Sequence, residues 1–291
     1  MNIIITIPAY NEEQTLPKVV AEIKETMAST RYKYSILVVN DGSKDKTAEV
    51  ARQAGALVVS HKRNQGLKKT FQTEMKECIR RKADIIVHTD ADGQYPAHYI
   101  PELITQVEAG ADLVLGSRFK RGNSSLPWTK KIGNIAFAKV FSSLLGIPIT
   151  DSTTGFRAFT REVAESIEFV SSFTYTQEQL IKASKQNFKI KEIAIKSRTT
   201  RESRLFKSPL EYAWRAWINI LRIYRDYDPL LFFGTIGTSL FSGGILLGLY
   251  FTFLHFTTGI QGHVALLVLN MLLLIMGVQI ILFGFLADMR R

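Results

Sequence analysis

The feature that most restricts how this chain can fold is a long stretch without any charged side chain. No Asp, Glu, Lys or Arg occurs between Pro229 and Ala287. The stretch contains two apolar segments, at about residues 230–256 and 264–287, joined by a short polar loop. Because a helix of about 20 residues crosses the hydrocarbon core of a bilayer, each segment is long enough to span it. The sequence therefore predicts a transmembrane hairpin.

Positive charges predict how this hairpin is oriented. The loop between its two segments carries no Lys or Arg, whereas Arg222 and Arg225 precede the first segment and Arg290 and Arg291 follow the second. Basic residues near the ends of membrane helices favour the cytoplasmic side. The first residues also lack the basic region and cleavage site of a signal peptide. We expect an integral membrane protein in which both termini and the domain that precedes the hairpin are cytoplasmic.

The composition of the chain bears on its partners. The formal net charge is +11 at pH 7, which favours anionic partners. The sequence has no basic–aromatic module of the kind that binds nucleic acid, so we expect no nucleic-acid partner. An anionic membrane surface and phosphate-bearing substrates explain the charge more simply. Gly243, Gly244 and Gly248 permit close helix contacts, so a homo-oligomer stays open.

Ahead of the hairpin, short β-branched runs alternate with helical patterns. Strands are predicted at about residues 2–8, 35–40, 56–60, 83–87 and 112–116, and helices at about 15–30, 45–53, 67–81 and 101–109. Strands that alternate with helices of this length form a doubly wound, mostly parallel α/β sheet.

Several charged residues follow directly after predicted strands. Because the carboxyl ends of parallel strands meet at one edge of a sheet, their side chains should gather there. They are Glu12, Asp41, Asp90, Asp92 and Arg118. Each residue alone has a plainer interpretation as a solvated or helix-capping side chain, and Asp41 in particular can cap the next helix. As a set they favour a ligand site.

The fourth predicted strand leads into a possible metal site. Residues 88–96 read His-Thr-Asp-Ala-Asp-Gly-Gln-Tyr-Pro, and the glycine and proline end the strand in a turn. Carboxylate and carboxamide oxygens are hard ligands that suit Mg²⁺ or Mn²⁺ carrying a diphosphate. The alternative is an acidic turn made of capping residues.

Five motifs occur in order along the chain. They read Ile-Pro-Ala-Tyr-Asn-Glu from Ile7, Val-Asn-Asp-Gly-Ser from Val39, Asp-Ala-Asp-Gly-Gln from Asp90, Gly-Ser-Arg-Phe from Gly116 and Thr-Gly-Phe-Arg from Thr154. Together they resemble family 2 glycosyltransferases of the GT-A fold, and most closely the dolichyl-phosphate mannose synthases and related polyprenyl-phosphate glycosyltransferases. The resemblance covers about residues 1–207. We therefore expect a Rossmann-like GT-A catalytic domain over residues 1–208, an interfacial helix over 209–228 and the hairpin over 229–291.

The resemblance implies a role for each matching position. The positions that hold the base and ribose of a nucleotide-sugar donor are matched by Pro8, Tyr10, Glu12, Val39 and Asp41. The positions beside the nucleotide are matched by Asp90 and Ala91, and those that ligate the metal by Asp92 and Gln94. The positions that face the phosphate groups are matched by Arg118, Arg201 and Lys207.

The sequence departs from the family pattern at two places. Asn40 stands where many relatives have Asp, and Leu67-Lys68-Lys69 stands where small residues are usual. The second departure bears on how the following helix approaches the nucleotide.

The chemistry of sugar transfer sets its own demands. The departing diphosphate needs neutralisation, which a bridging divalent ion supplies with the help of Arg and Lys. An alcohol acceptor needs a general base, whereas a phosphate monoester, with a second pKa of about 6, is already largely dianionic. The basic segment 198–207 suits such an acceptor; its alternative is a solvated or lipid-facing loop. We assign catalysis to Asp92, Arg118 and Arg201, without a catalytic base.

Three further stretches bear on the acceptor. Residues 132–145 and 209–227 combine apolar residues with aromatic or basic ones, as helices in the membrane interface do; the alternative is that each packs on the sheet domain. Residues 151–159 are expected to line the site. Within them Arg157 either touches phosphate or pairs with Asp151, and the sequence leaves both open.

These expectations combine into one functional prediction. We expect an inverting, metal-dependent glycosyltransferase that moves a sugar, mannose or glucose, from a GDP- or UDP-linked donor to a polyprenyl phosphate at the cytoplasmic membrane face. Its alternatives are a transferase with a non-phosphate lipid or glycan acceptor, and an inactive membrane-tethered nucleotide-binding scaffold.

Overall fold

The computed structural model describes residues 1–120, 138–139, 141–143, 145–166, 175–198, 218, 221–222, 225–226, 228–257 and 263–289. The chain divides into two compact units, Met1–Glu211 and Tyr212–Arg291. The predicted phosphate-facing residues Arg201 and Lys207 lie outside the described residues, as does most of the predicted interfacial segment 209–227.

The first unit contains a seven-stranded mixed sheet. Its strands are β1 (Asn2–Ala9), β2 (Lys33–Asn40), β3 (Leu57–Ser60), β4 (Ile85–His88), β5 (Leu113–Ser117), β6 (Arg157–Thr160) and β7 (Ile190–Ala194). Their spatial order is β3-β2-β1-β4-β6-β5-β7. Strand β6 is antiparallel to β4 and β5, and the other pairs are parallel. All strands except β6 therefore run in the same direction.

Helices connect these strands as the alternating pattern predicted. They are α1 (Leu16–Ala28), α2 (Thr47–Gln53), α3 (Leu67–Arg80), α4 (Ile100–Glu108), α5 (Arg161–Ser166) and α6 (Tyr175–Lys185). In α1 the buried residues recur at helical spacing and face the core, namely Leu16, Val19, Val20, Ile23 and Met27, as expected of an amphipathic helix. The five predicted strands and four predicted helices are confirmed, with small shifts at their ends.

Strands β6 and β7 were not predicted. Strand β6 has only four residues, and two of the five residues of β7, Lys191 and Glu192, are charged, so neither stands out as a buried run. The reversed direction of β6 brings its amino end to the edge where the other strands end. Residues 151–156 therefore arrive at the same edge as the residues that follow β4.

The predicted interfacial helix at 132–145 falls partly on described residues. Residues 138–139, 141–143 and 145 are helical, and Ala138 and Phe141 are buried in protein. The hydroxyl of Ser142 also accepts a hydrogen bond from the Ile149 backbone N–H at 2.9 Å. These contacts favour the packing interpretation for this part of the segment.

The second unit contains two long apolar helices, α7 (Pro229–Thr257) and α8 (Val264–Asp288). By length and composition both can cross a membrane. They meet along glycines spaced seven residues apart, Gly237 and Gly244 on α7 and Gly277 and Gly284 on α8. A Cβ atom on Gly237 would lie 2.7 Å from the carbonyl oxygen of Gly277. The bare backbones therefore set how closely the two helices pack.

These contacts bear on the glycines considered for self-association. A Cβ on Gly244 would lie 2.8 Å from Leu274 of α8, and one on Gly248 would lie 3.3 Å from the Asn270 amide nitrogen. A Cβ on Gly243 would meet nothing within 4 Å. Two of the three glycines thus serve the contact between α7 and α8 within one chain.

A single methyl group tests this helix contact. Gly237→Ala places a Cβ against the backbone of α8, and we expect a loss of about 1–3 kcal/mol in stability, as for other overpacked contacts. The matched control is Gly243→Ala, where space is open. Thermal unfolding in detergent should show a lower melting temperature for the first variant and an unchanged or higher one for the second. Equal melting temperatures would contradict this packing.

Candidate active site

The predicted site residues follow strands that end at one edge of the sheet. Pro8 in β1 and Val39 in β2 are register partners and are buried. The next residue after β1, Tyr10, leaves 41% of its surface exposed. An exposed aromatic ring at the carboxyl edge of the sheet is placed to pack on a flat ligand.

Glu12 is a buried carboxylate just beyond β1. Its backbone N–H donates to the Thr47 hydroxyl at 2.8 Å, and its Oε2 accepts a hydrogen bond from the Thr15 hydroxyl at 2.7 Å. Glu12 thereby joins the loop after β1 to the start of α2. The structure gives it a positional role at the edge of the site.

Asp41 holds the neighbouring loop in place. Its carboxylate accepts hydrogen bonds from the backbone N–H groups of Gln65 at 2.9 Å and Gly66 at 2.8 Å, and lies 2.7 Å from Nδ1 of His61. Gly42 then packs so tightly that a Cβ would lie 2.4 Å from the Arg63 carbonyl carbon. Asp41 therefore fixes the loop that leads into α3, rather than capping α2, the next helix along the chain.

The side chains of Asp90, Asp92 and Gln94 offer only oxygen atoms as metal ligands. Asp92 Oδ1 accepts a hydrogen bond from the Gln94 backbone N–H at 2.9 Å, and Gly93 has a φ of 73°, which glycine adopts without strain. Burial raises the pKa of Asp90 to about 6; Asp92 adds to this rise, whereas His88 and Arg118 oppose it. The two carboxylates thus repel each other, and a cation bound at the turn would relieve that repulsion.

A hard divalent ion fits this turn. Carboxylate and carboxamide oxygens are donors that Mg²⁺ and Mn²⁺ accept. Within the part of the chain that the structure describes, no group of three or more His, Cys, Asp or Glu side chains could hold a metal. Oxygens of a bound diphosphate would therefore have to complete the coordination of an ion held by Asp92 and Gln94.

Arg118, which follows β5, is tied to Asp151. Its Nε lies 2.7 Å from Asp151 Oδ2 and its Nη2 lies 2.9 Å from Asp151 Oδ1, with Thr153 a further acceptor at 2.8 Å. Burial alone lowers the pKa of Arg118, but Tyr95 and Asp151 outweigh it and raise the pKa well above its ordinary value. Arg118 is a fixed cation whose charge is partly compensated within the protein.

The sequence left two roles open for Arg157, contact with phosphate or pairing with Asp151, and the structure shows neither. Its side chain is fully buried. The guanidinium donates to the backbone oxygen of Thr176 at 2.8 Å, to Gln179 Oε1 at 3.0 Å and to the backbone oxygen of Thr154. Asp151 pairs with Arg118 instead. Arg157 therefore ties α6 to the loop before β6, and in this structure it cannot reach a phosphate.

The first residue of the predicted basic segment, Arg198, lies beside the Asp90–Gln94 turn. The backbone N–H of Arg198 donates to the carbonyl oxygen of Gln94 at 2.9 Å, and the Arg198 guanidinium pairs with Glu22 at 2.7 Å. Glu22 Oε1 also accepts from the Ala97 backbone N–H at 3.0 Å. The chain thus enters segment 198–207 at the edge of the candidate site.

One contact within the site was not predicted from the sequence, that of Tyr95 with the loop before β6. The Gly155 backbone N–H donates to the Tyr95 hydroxyl at 3.3 Å, and the Tyr95 ring stacks on Phe156 with centroids 5.2 Å apart. Burial raises the pKa of Tyr95 to about 12. Nothing in the local sequence shows that the turn after β4 packs on the loop before β6, because that contact depends on β6 lying beside β4.

Comparison with known proteins agrees with this geometry. The profile of the family described as Glycosyl transferase family 2 matches residues 4–168, more than half of the chain. The chain belongs to this family. It is a glycosyltransferase, as the five motifs predicted.

Within this family, the chain is similar to proteins named as transferases of sugars to dolichyl phosphate. The dolichyl-phosphate hexose transferase of Haloferax volcanii is 34% identical over 191 residues, which are 66% of this chain and 80% of that protein. The dolichol-phosphate mannosyltransferase of Pyrococcus furiosus is 28% identical over 277 residues, which are 92% of this chain and 76% of that protein.

A solved structure confirms the fold. Glucosyl-3-phosphoglycerate synthase from Mycobacterium tuberculosis, crystallised with Mn²⁺, UDP-glucose and phosphoglyceric acid, matches with a TM-score of 0.57. The match covers 70% of this chain and 73% of that chain at 22% identity. A likeness of this degree concerns the fold alone, and the fold is the predicted GT-A arrangement.

The loop-holding role of Asp41 can be measured. Asp41→Asn leaves a side chain that cannot accept from both backbone N–H groups and the His61 ring, so we expect a loss of about 2 kcal/mol. Urea unfolding of the purified protein measures it. Glu25→Gln is the control, because Glu25 is an exposed residue of α1. Similar small losses in both variants would contradict the role given to Asp41.

Proposed function

We propose that this glycosyltransferase moves a sugar, mannose or glucose, from a GDP- or UDP-linked donor to a polyprenyl phosphate of the dolichyl type. The observation that carries the proposal is the oxygen-only turn of Asp90, Asp92 and Gln94, placed beside the entry to segment 198–207. Family membership supports the transfer of a sugar. The names of the Haloferax volcanii and Pyrococcus furiosus relatives support the dolichyl phosphate acceptor.

On the donor side, we assign the metal to Asp92 and Gln94 and the surroundings of the nucleotide to residues after β1, β2 and β4. When bound, Mg²⁺ or Mn²⁺ supplies Lewis-acid neutralisation of the leaving diphosphate. The exposed Tyr10 ring offers a packing face for the base, beside the buried pair Pro8 and Val39. Glu12 and Asp41 hold the loops around that face through the hydrogen bonds described above.

On the acceptor side, the demand is for cations rather than for a base. A phosphate monoester already carries the nucleophilic oxygen in ionised form near neutral pH. We assign Arg118 and, in segment 198–207, Arg201 and Lys207 to the phosphate groups. Arg118 is held rigidly by Asp151 and Thr153. A cation fixed in place supports transition-state charge without reorganising during the reaction.

The membrane supplies the acceptor. The apolar helices α7 and α8 satisfy the length for spanning, and the cationic flanks at Arg222 and Arg225 favour the cytoplasmic side for the preceding unit. We therefore propose that transfer occurs at the cytoplasmic face. A single displacement with inversion is expected, because no glycosyl-enzyme nucleophile is assigned.

Turnover assays test the two substrates separately. Detergent-solubilised protein should release nucleoside diphosphate from GDP- or UDP-sugars in the presence of Mn²⁺ and polyprenyl phosphate. EDTA should abolish the release, and excess Mn²⁺ should restore it. Turnover that is indifferent to EDTA would contradict the metal role. Equal turnover with a polyprenyl alcohol in place of the phosphate would contradict the acceptor.

Asp92→Asn tests the residue that we assign to the metal. We expect kcat/KM to fall by about 100-fold or more, the size of effect seen when one preorganised electrostatic contact to a transition state is removed. The melting temperature should stay near that of the wild type, because the Asp92 side chain is partly exposed. The control Glu102→Gln changes an exposed residue of α4 and should retain activity. Wild-type kcat/KM in Asp92→Asn would refute the assignment.

A further inference from the structure

A cluster of fully buried polar side chains lies next to the Asp90–Gln94 turn and includes His88, two residues before Asp90. Glu74 of α3 and His88 of β4 have no exposed side-chain surface, and Glu74 Oε2 lies 2.9 Å from His88 Nδ1. Thr6 of β1, also buried, places its hydroxyl 3.2 Å from the same nitrogen. Burying a carboxylate costs several kcal/mol. The polar groups around Glu74 must therefore offset that cost.

The cluster extends towards the site through one hydroxyl. His88 Nε2 lies 2.9 Å from the Tyr175 hydroxyl of α6, within hydrogen-bond distance. The Tyr175 ring stacks on Phe71 with centroids 4.3 Å apart. Both nitrogens of His88 are therefore engaged, one on the Glu74 side and one on the Tyr175 side. Of the polar groups in this cluster, the Tyr175 hydroxyl is the one nearest to the site.

Gly155 shows what this hydroxyl faces. A Cβ atom on Gly155 would lie 3.1 Å from the Tyr175 oxygen and 3.2 Å from each carboxylate oxygen of Asp90. The two groups thus border the same small gap, which exists because Gly155 has no side chain. A larger residue there would crowd both groups at once.

The electrostatics agree with this proximity. Burial raises the pKa of Tyr175 well above its ordinary value, and the charge of Asp90 adds to the rise. Tyr175 therefore keeps its proton. A neutral hydroxyl that is held by His88 and lies beside Asp90 limits the orientations open to that carboxylate, as outer residues do around metal sites.

We propose that Tyr175, held from behind by His88 and Glu74, is a positioning residue that orients the Asp90 carboxylate at the donor site across the bare face of Gly155. The inference rests on the proposed function, because it makes Asp90 part of the surface that receives the metal–nucleotide complex. Tyr175 touches neither substrate. It acts through Asp90.

A double-mutant cycle tests the proposal on the full chain in detergent. The variants are Tyr175→Phe, Asp90→Ala and the pair of them, and the readout is the Kd for GDP and for UDP with Mn²⁺ by calorimetry. Tyr175→Phe keeps the ring on Phe71 and should weaken binding about tenfold, a common effect of removing an outer residue of a metal site. In the Asp90→Ala background the same change should alter the Kd less than twofold.

Kinetics separate positioning from general damage. Tyr175→Phe should raise the KM for the nucleotide-sugar while leaving the KM for polyprenyl phosphate unchanged. The control Tyr32→Phe removes a hydroxyl that donates to Glu108 Oε2 at 2.7 Å, before β2 at the opposite edge of the sheet, and should change neither KM. An unchanged nucleotide Kd in Tyr175→Phe would overturn the proposal, and so would an equal loss in both Asp90 backgrounds.

Melting temperatures of the same four proteins, measured without ligand, test the Tyr175–Asp90 coupling separately from the proposed nucleotide-sugar donor. If Tyr175 orients Asp90, the melting-temperature changes of the two single variants should not add up to that of the double variant. Additive changes would overturn the Tyr175 proposal even where the wild type binds nucleotide normally. A wild type that binds neither nucleotide with Mn²⁺, but shows non-additive melting, would contradict the proposed donor and leave the Tyr175–Asp90 coupling supported.

Discussion

The shared direction of the strands is the constraint on which the candidate site depends. Strands β1, β2, β4 and β5 all end at one edge, and the reversed β6 begins there. The polar residues that follow these strands therefore lie near one another, whereas β4 and β5 are buried along their whole length. The carboxylates after β4 and the arginine after β5 come together because of this direction.

Most charged side chains at this edge have hydrogen-bond or ion-pair partners within the protein. Asp41 accepts from two backbone N–H groups, Arg118 pairs with Asp151, and Arg157 is surrounded by neutral acceptors in the core. These partners hold the loops at fixed positions, which a preorganised site requires. The turn at Asp90 and Asp92 differs, because its two carboxylates repel each other. A cation bound at the turn would relieve that repulsion.

Much of the fold was predictable because its signals are local. Buried β-branched runs mark β1, β2 and β4, and helical spacing marks α1 and α3. Strands β6 and β7 were not predicted, since a four-residue strand and a five-residue strand with two adjacent charged residues are stabilised mainly by neighbours far along the chain. The same limit hid the pairing of Arg118 with Asp151 and the buried contact of Glu74 with His88. Tertiary contacts decide such pairs, and no spacing in the sequence encodes them.

The central claim is that Asp92 and Gln94 hold a divalent ion that carries the donor diphosphate. Anomalous diffraction from crystals grown with Mn²⁺ and GDP or UDP tests it most directly. The account predicts a manganese peak about 2.1 Å from oxygen atoms of Asp92 and Gln94, in contact with both phosphates. A manganese–nucleotide complex bound elsewhere, with Asp92 and Gln94 beyond coordination distance, would contradict it.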